Sequence, residues 1–195
     1  EDRENILWIG TEGGGLNSLR DSLITTYTKE SGLSNNLVNT VLQDSRGYIW
    51  IGSIGFGLNR LNPETGQVKI YNIENGLASN LVLSICEGPD GNIYTGTGGS
   101  GISVIHKDIH KGGEKISNYN AQQGIEDKFI RGMVSDKKGN IWAGSDYGNL
   151  YRKKPGAAKF EKLLNVGARI NVLFTDSNDE LWIGTFSSKL FKYLD

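Results

Sequence analysis

One phrase is written five times in this chain, and it dictates most of what the chain can become. The blocks ILWIGTEGGGLNSLR (Ile6–Arg20), YIWIGSIGFGLNRLN (Tyr48–Asn62), NIYTGTGGSGISVIH (Asn92–His106), IWAGSDYGNLYRK (Ile141–Lys153) and LWIGTFSSKLFKY (Leu181–Tyr193) align on Gly10, Gly52, Gly96, Gly144 and Gly184, at spacings of 42, 44, 48 and 40. Six residues after each glycine stands an aliphatic side chain: Leu16, Leu58, Ile102, Leu150 and Leu190. Such a period marks a unit that cannot bury its own faces and therefore stacks against copies of itself.

The unit is legible residue by residue. Three positions before the aromatic residue stand Asn5, Gly47, Gly91, Gly139 and Asp179, the residue types that accept a positive φ in a tight hairpin. Three positions earlier come Asp2, Asp44, Asp136 and Asp176, suited to hydrogen-bonding turn amides, with Gly88 as the exception. In YIWIG both alternating sets, Tyr48/Trp50 and Ile49/Ile51, are apolar, so this strand is covered on both faces. The strand before the turn reads NTVLQ, LVLSIC, IRGMVS or INVLFT. The two after it read like GLNRLN and QVKIY, and a Gly-apolar loop follows at Gly32-Leu33, Gly76-Leu77, Gly124-Ile125 and Gly167-Ala168. With 27 glycines and 3 prolines in 195 residues, many short strands joined by tight turns are expected.

Four antiparallel strands per 40–48 residues predict an all-β fold, a partial β-propeller. Three whole blades (Val38–Tyr71, Leu81–Tyr119, Phe129–Leu164) are expected between two three-strand partial ones. The pieces 1–27, 38–71, 81–119, 129–164 and 170–195 then belong to one domain. HKDIHKGGEK (His106–Lys115) is an insertion in one third-to-fourth-strand hairpin. The ends read as a cut through a longer array, so exposed strand edges and apolar blade faces are expected to favour self-association.

Lys plus Arg is 21 and Asp plus Glu 22, a net charge of −1 with no dense basic block, which argues against nucleic acid as a partner. The longest apolar runs, such as LVLSIC, fall far short of the ~20 residues of a spanning helix, so this segment is expected to make no membrane contact. No basic-apolar leader opens the chain, which reads as a signal peptide absent or removed. Its one cysteine, Cys86, lies in an apolar run and reads as a small buried hydrophobe.

Motifs for chemistry resolve into structural readings. GTGGSG (Gly96–Gly101) fits G-x-G-x-x-G, but a strand follows it and the same slot recurs as GTEGGG and GSIGFG, so it is a turn. His106 and His110, near Asp108 and Glu114, have a spacing open to metal, yet they lie in the variable hairpin, where a solvated loop is expected. Trp8, Trp50, Trp142 and Trp182 recur at one strand position and read as packing residues. No Ser or Cys pairs with either histidine at a motif-supported position, and the carboxylate pairs Glu126/Asp127 and Asp179/Glu180 read as hydrated charges. No catalytic residue, metal or cofactor is expected.

In an up-and-down blade the second-to-third-strand loops and the inter-blade links share one face. That face carries Glu12, Phe56, Asp146, Tyr147 and Phe186, the candidate ligand-binding residues, beside Asn35, Asn36, Gln122, Gln123 and Glu126. Aromatic rings next to amides and carboxylates suit sugars, by stacking and hydrogen bonding.

The stretch DSRGYIWIGSIGFGLNRLNPETGQVKIYN, followed by NGLASNLV, resembles the two-component regulator propeller repeat, with its D-x-x-G-x-[IL]-W-I-G-T turn and strand, G-L-x-R-[LY] strand and G-L-x-x-x-x-[IV] link. The resemblance covers nearly the whole chain and weakens over 106–175. It implies part of the periplasmic sensor portion of a hybrid histidine kinase, responding to an oligosaccharide or other small ligand, without chemistry of its own. Two other readings stand beside it: a structural propeller that binds another protein, and a propeller lyase of the streptogramin-inactivating kind, which needs a histidine-centred metal site at the ring's mouth.

Overall fold

The structure is a computed structural model describing residues 6–20, 23–107, 114–187 and 189–194. Among them, eighteen strands form five antiparallel sheets, each a meander in which every strand pairs with the next in the chain. The first blade is β1 (Leu7–Thr11), β2 (Gly15–Arg20) and β3 (Leu23–Tyr27). The second is β4 (Val38–Gln43), β5 (Ile49–Ser53), β6 (Gly57–Leu61) and β7 (Val68–Tyr71). The third is β8 (Val82–Glu87), β9 (Ile93–Thr97), β10 (Ile102–His106) and β11 (Lys115–Tyr119). The fourth is β12 (Ile130–Ser135), β13 (Ile141–Ser145), β14 (Asn149–Lys153) and β15 (Glu161–Asn165), and the fifth is β16 (Ile170–Thr175), β17 (Leu181–Thr185) and β18 (Leu190–Lys192). Three four-stranded blades thus lie between two three-stranded ones, as the repeat predicts. The turn Asp2–Asn5, and Asp108 and His110 of the insertion, lie outside the described residues.

The first hairpin of the second, fourth and fifth blades is fixed by one carboxylate. In the second blade Asp44 Oδ1 accepts the amides of Arg46 and Tyr48, while Oδ2 accepts the Trp50 indole N–H at 2.9 Å. Asp136 does the same for Asn140 and Trp142, and Asp176 for Asn178, Glu180 and Trp182. The turn's left-handed residue is Gly47, Gly139 or Asp179, the last at φ 66°. The exception at Gly88 is a coupled change. Tyr94 replaces the tryptophan, Asp90 inside the turn accepts the Asn92 amide and the Tyr94 hydroxyl, and a Cβ on Gly88 would lie 2.8 Å from the tyrosine ring.

The shared glycines bring the blades together. A Cβ on Gly10 would stand 2.6 Å from Val38 Cγ1, one on Gly52 2.7 Å from Val82 Cγ1, and one on Gly144 2.4 Å from Ile170 Cγ2. On Gly96 it would lie 2.5 Å from the Ile130 carbonyl. In each case the missing side chain admits the first residue of the next blade's inner strand. The apolar core accordingly lies in the seams: Trp50, Leu58 and Tyr71 of the second blade pack with Val82, Ile93 and Ile105 of the third. Central strands β5, β9 and β13 are buried at every residue, the two-sided burial the sequence predicts.

The links are more ordered than a Gly-apolar loop. Lys29–Ser31, Ile73–Asn75 and Ala121–Gln123 each form one 3-10 turn, stopped by Gly32, Gly76 and Gly124 with left-handed backbone. The next residues, Leu33, Leu77 and Ile125, are buried anchors. Asn72 and Asn120 cap their turns through the side chain.

The end of the insertion is also tied down. Glu114 accepts hydrogen bonds from Arg60, Lys69 and Tyr71 of the second blade, and the Arg60 guanidinium lies over the Tyr48 ring. Glu114, read from the sequence as part of a solvated loop, is therefore a clamp across the seam between the second and third blades.

Candidate ligand-binding face

The backbone builds one face from hairpin tips and links. The Asn36 carbonyl accepts the amides of Gly13 and Gly15, the Asn80 carbonyl accepts Gly57, and the Lys128 carbonyl accepts Gly99 and Gly101. In the last two blades Asp146 N donates to the Phe129 carbonyl, and Phe186 N to that of Arg169 at 2.9 Å. Each link thus runs against the tip of the blade it leaves and the tip of the blade it enters.

All five sequence-predicted residues lie on this face, distributed over four blades, and no hydrogen bond or ion pair among the described residues joins any two of them. Glu12, beside the link, forms a β-bridge with Leu37. Phe56, Tyr147 and Phe186 project at the tips, 46%, 67% and 68% exposed. Asp146 is engaged by the guanidinium of Arg131, the second residue of inner strand β12. Tyr147 is held by its backbone, its carbonyl accepting from the Asn165 side chain.

The polar neighbours are largely structural. The side-chain oxygens of Asn35 and Asn36 accept the amides of Leu37 and Lys29, and Gln123 completes the Asn120 capping box. Gln122 donates its amide to Asn120, and Glu126 faces Lys162 at 3.4 Å. Asp127, read as a hydrated charge, instead accepts hydrogen bonds from Asn149 and Tyr151; burial, and after it the Asp127 carboxylate, push the tyrosine's pKa up.

Sequence reasoning missed Arg131 and Arg169. The Arg169 guanidinium lies 3.9 Å from the Phe186 ring centroid, a cation–π stack. The signal for it was present, because Arg169 occupies the slot filled by Leu37, Leu81 and Phe129 in the other copies.

Clefts lie on the opposite face. One of about 390 Å³ lies among the first-hairpin turns of the second to fourth blades, lined by Ser45, Glu87, Pro89, Asp90, Lys107 and Asp136. Ser45 N bonds Glu87 of the next blade at 2.7 Å, and Lys137 N bonds Asp179 at 2.7 Å. The equivalent residue in the third blade is Pro89, which has no N–H to give, and the cleft opens at that seam. A second cleft of about 280 Å³ is walled by Trp142, Tyr193, Lys192 and Glu180. His106 lies at the end of β10, its Nε2 2.6 Å from Ser117 Oγ, and burial lowers its pKa. Among the described residues no cluster of three His, Cys, Asp or Glu is arranged to hold a metal ion.

Comparison with known proteins agrees with this architecture. The two-component regulator propeller family matches at residues 32–55 and 76–99, that is, the link, first hairpin and second strand of the second and third blades. No curated protein sequence matches the chain. Among solved structures, the chain is similar to two molecules described as extracellular domains of hybrid two-component systems from B. thetaiotaomicron. One has a TM-score of 0.81 and 24% identity over 97% of this chain; the other has 0.80 and 23% over 100%. The chain spans only 26% and 28% of those two molecules. It is also similar to virginiamycin B lyase from Staphylococcus aureus, with a TM-score of 0.75 and 13% identity over 98% of this chain and 67% of the lyase, so the fold by itself does not separate sensor from enzyme. The chain is a run of propeller blades, two of which carry the two-component regulator propeller repeat over residues 32–55 and 76–99.

Proposed function

We propose that the chain is part of the extracytoplasmic sensor region of a hybrid two-component system, facing the periplasm, and that it recognises an oligosaccharide and performs no catalysis. The match of two blades to the two-component regulator propeller repeat carries this reading. The likeness to extracellular domains of hybrid two-component systems supports it. The face of hairpin tips and links is chemically suited to sugars, with exposed rings at Phe56, Tyr147 and Phe186 set among amides and charged groups. Binding at that face would alter how the tips lie on the links, and so the packing of blade on blade, which a kinase downstream would read.

Thermal unfolding in the presence of a panel of oligosaccharides tests the proposal. A ligand at about 100 times its Kd stabilises the folded state by about 2.7 kcal/mol, so one saccharide class is expected to raise the midpoint by several degrees. Stabilisation by a protein partner and by no saccharide would replace sensing with scaffolding.

A further inference from the structure

Among the arginines whose side chains are described, one stands outside the ion pairs. Arg46 is paired with Asp44, Arg60 with Glu114, Arg131 with Asp146 and Arg152 with Glu161. Among the described residues Arg169 has no carboxylate partner, and its Nε is buried without a hydrogen bond. A buried, unsatisfied N–H carries a desolvation penalty, and an orphan of this kind in a folded protein calls for an explanation. The stack on Phe186 offsets part of the cost but supplies no acceptor.

The location is equally specific. Arg169 precedes inner strand β16 at the seam between the fourth and fifth blades, in a slot that holds Leu37, Leu81 and Phe129 in three other copies. Packing therefore requires only an apolar residue there. Its carbonyl receives the Phe186 amide, and the neighbouring Ala168 lies against the Tyr147–Gly148 tip, where a Cβ on Gly148 would stand 2.7 Å from the Ala168 carbonyl. The guanidinium thus lies on exposed Phe186, while the backbone just before it lies against the tip that exposes Tyr147. Arg131, on the inner strand of the fourth blade, is paired with Asp146, whereas the guanidinium of Arg169 has no carboxylate beside it among the described residues.

We propose that Arg169 is the recognition residue for a carboxylate on a sugar ring, making the ligand a uronate-containing oligosaccharide. This rests on the sugar-sensing reading and narrows it. A guanidinium presents two-pronged edges matched to a carboxylate, and such a group would compensate the unpaired charge of Arg169, which as a residue is only partly buried. The rings of Tyr147 and Phe186 offer the apolar surface on which a sugar stacks.

The test is calorimetric titration of the intact protein with pairs of oligosaccharides, each a glucuronate- or galacturonate-containing chain and its carboxyl-reduced neutral form. The acidic member of a pair is expected to bind and the neutral member to bind at least tenfold more weakly. Arg169→Leu, which installs the residue of the other copies, is expected to abolish that preference without lowering the unfolding midpoint. Arg169→Lys keeps the charge, loses the two-pronged edge and should fall between. Neutral members binding as well as acidic ones, unaffected by Arg169→Leu, would overturn the carboxylate site and leave sugar sensing standing. Absence of binding by both members of every pair would overturn both.

Discussion

Trp142 donates its indole N–H to Asp136 Oδ2 across 2.8 Å, while the other oxygen of the same carboxylate holds the Asn140 amide at 2.7 Å. The arrangement recurs at Asp44/Trp50 and Asp176/Trp182, so the aspartate and tryptophan are one device: the carboxylate closes the turn and orients the ring that fills the seam.

Asp44 is 1% exposed and holds two turn amides as well as the indole. Asp44→Ala is expected to destabilise the protein by about 2–4 kcal/mol, since several hydrogen bonds to a charged group are lost and their donors stay buried. Trp50→Phe should cost about 1–3 kcal/mol, and the double variant less than the sum, because the partners act together. Urea denaturation of the four proteins checks this; strict additivity would show that the pair is not a unit.

Gly144→Ala would put a methyl 2.4 Å from Ile170 Cγ2 and 2.9 Å from its Cβ. Overpacking of this kind costs about 1–3 kcal/mol. Adding Ile170→Ala should relieve the clash, so the second substitution destabilises the Gly144→Ala protein by less than it destabilises the wild type. Thermal unfolding of the same four-protein set reads the difference.

Glu114 supplies a pH dependence with a definite sign. Burial alone pulls its pKa up, but the hydrogen bonds from Lys69 and Tyr71 and the charge of Arg60 outweigh it, leaving the carboxyl below its ordinary value near 4.5. The clamp therefore contributes stability above the unfolded-state value, and that contribution is lost as pH falls through the lowered folded-state value. Glu114→Gln should destabilise at pH 7 by about 1–3 kcal/mol and by progressively less below pH ~4. A loss that stays constant with pH would show that the charge is irrelevant.

The outer faces of the end blades expose Leu7, Ile9 and Ile24 at one end and Val172, Phe174 and Leu190 at the other. Sedimentation of the isolated chain is expected to show concentration-dependent association, weakened by Leu190→Lys together with Phe174→Lys. A monomer at all concentrations would remove self-association as a property of these faces.

Much of this was legible because the chain repeats it. Five copies of one phrase define the strand order, and the recurrence of Gly, Asn and Asp before each aromatic locates the turns. The indole–carboxylate bond was not visible, because an aspartate that closes a turn and one that also reaches a side chain six residues on look alike in sequence. The 3-10 turns of the links were missed because three residues carry no helical period. Glu114 read as a loop residue because its partners, Arg60, Lys69 and Tyr71, lie 43 to 54 residues away. Hairpin connectivity placed the five candidate residues on one face. It could not distinguish a tip that is engaged, such as Asp146, from one that is open, such as Tyr147. Arg169 was hidden by position alone: a comparison of copies that stops at the glycines and tryptophans never reaches the link.

The glycine sockets have an evolutionary consequence. Because Gly10, Gly52, Gly96 and Gly144 each receive the first residue of the following inner strand, every seam uses the same coupling. A tandem duplication or deletion of one unit, in frame, leaves each remaining strand facing a compatible socket. A change in blade number therefore requires no new interface between blades.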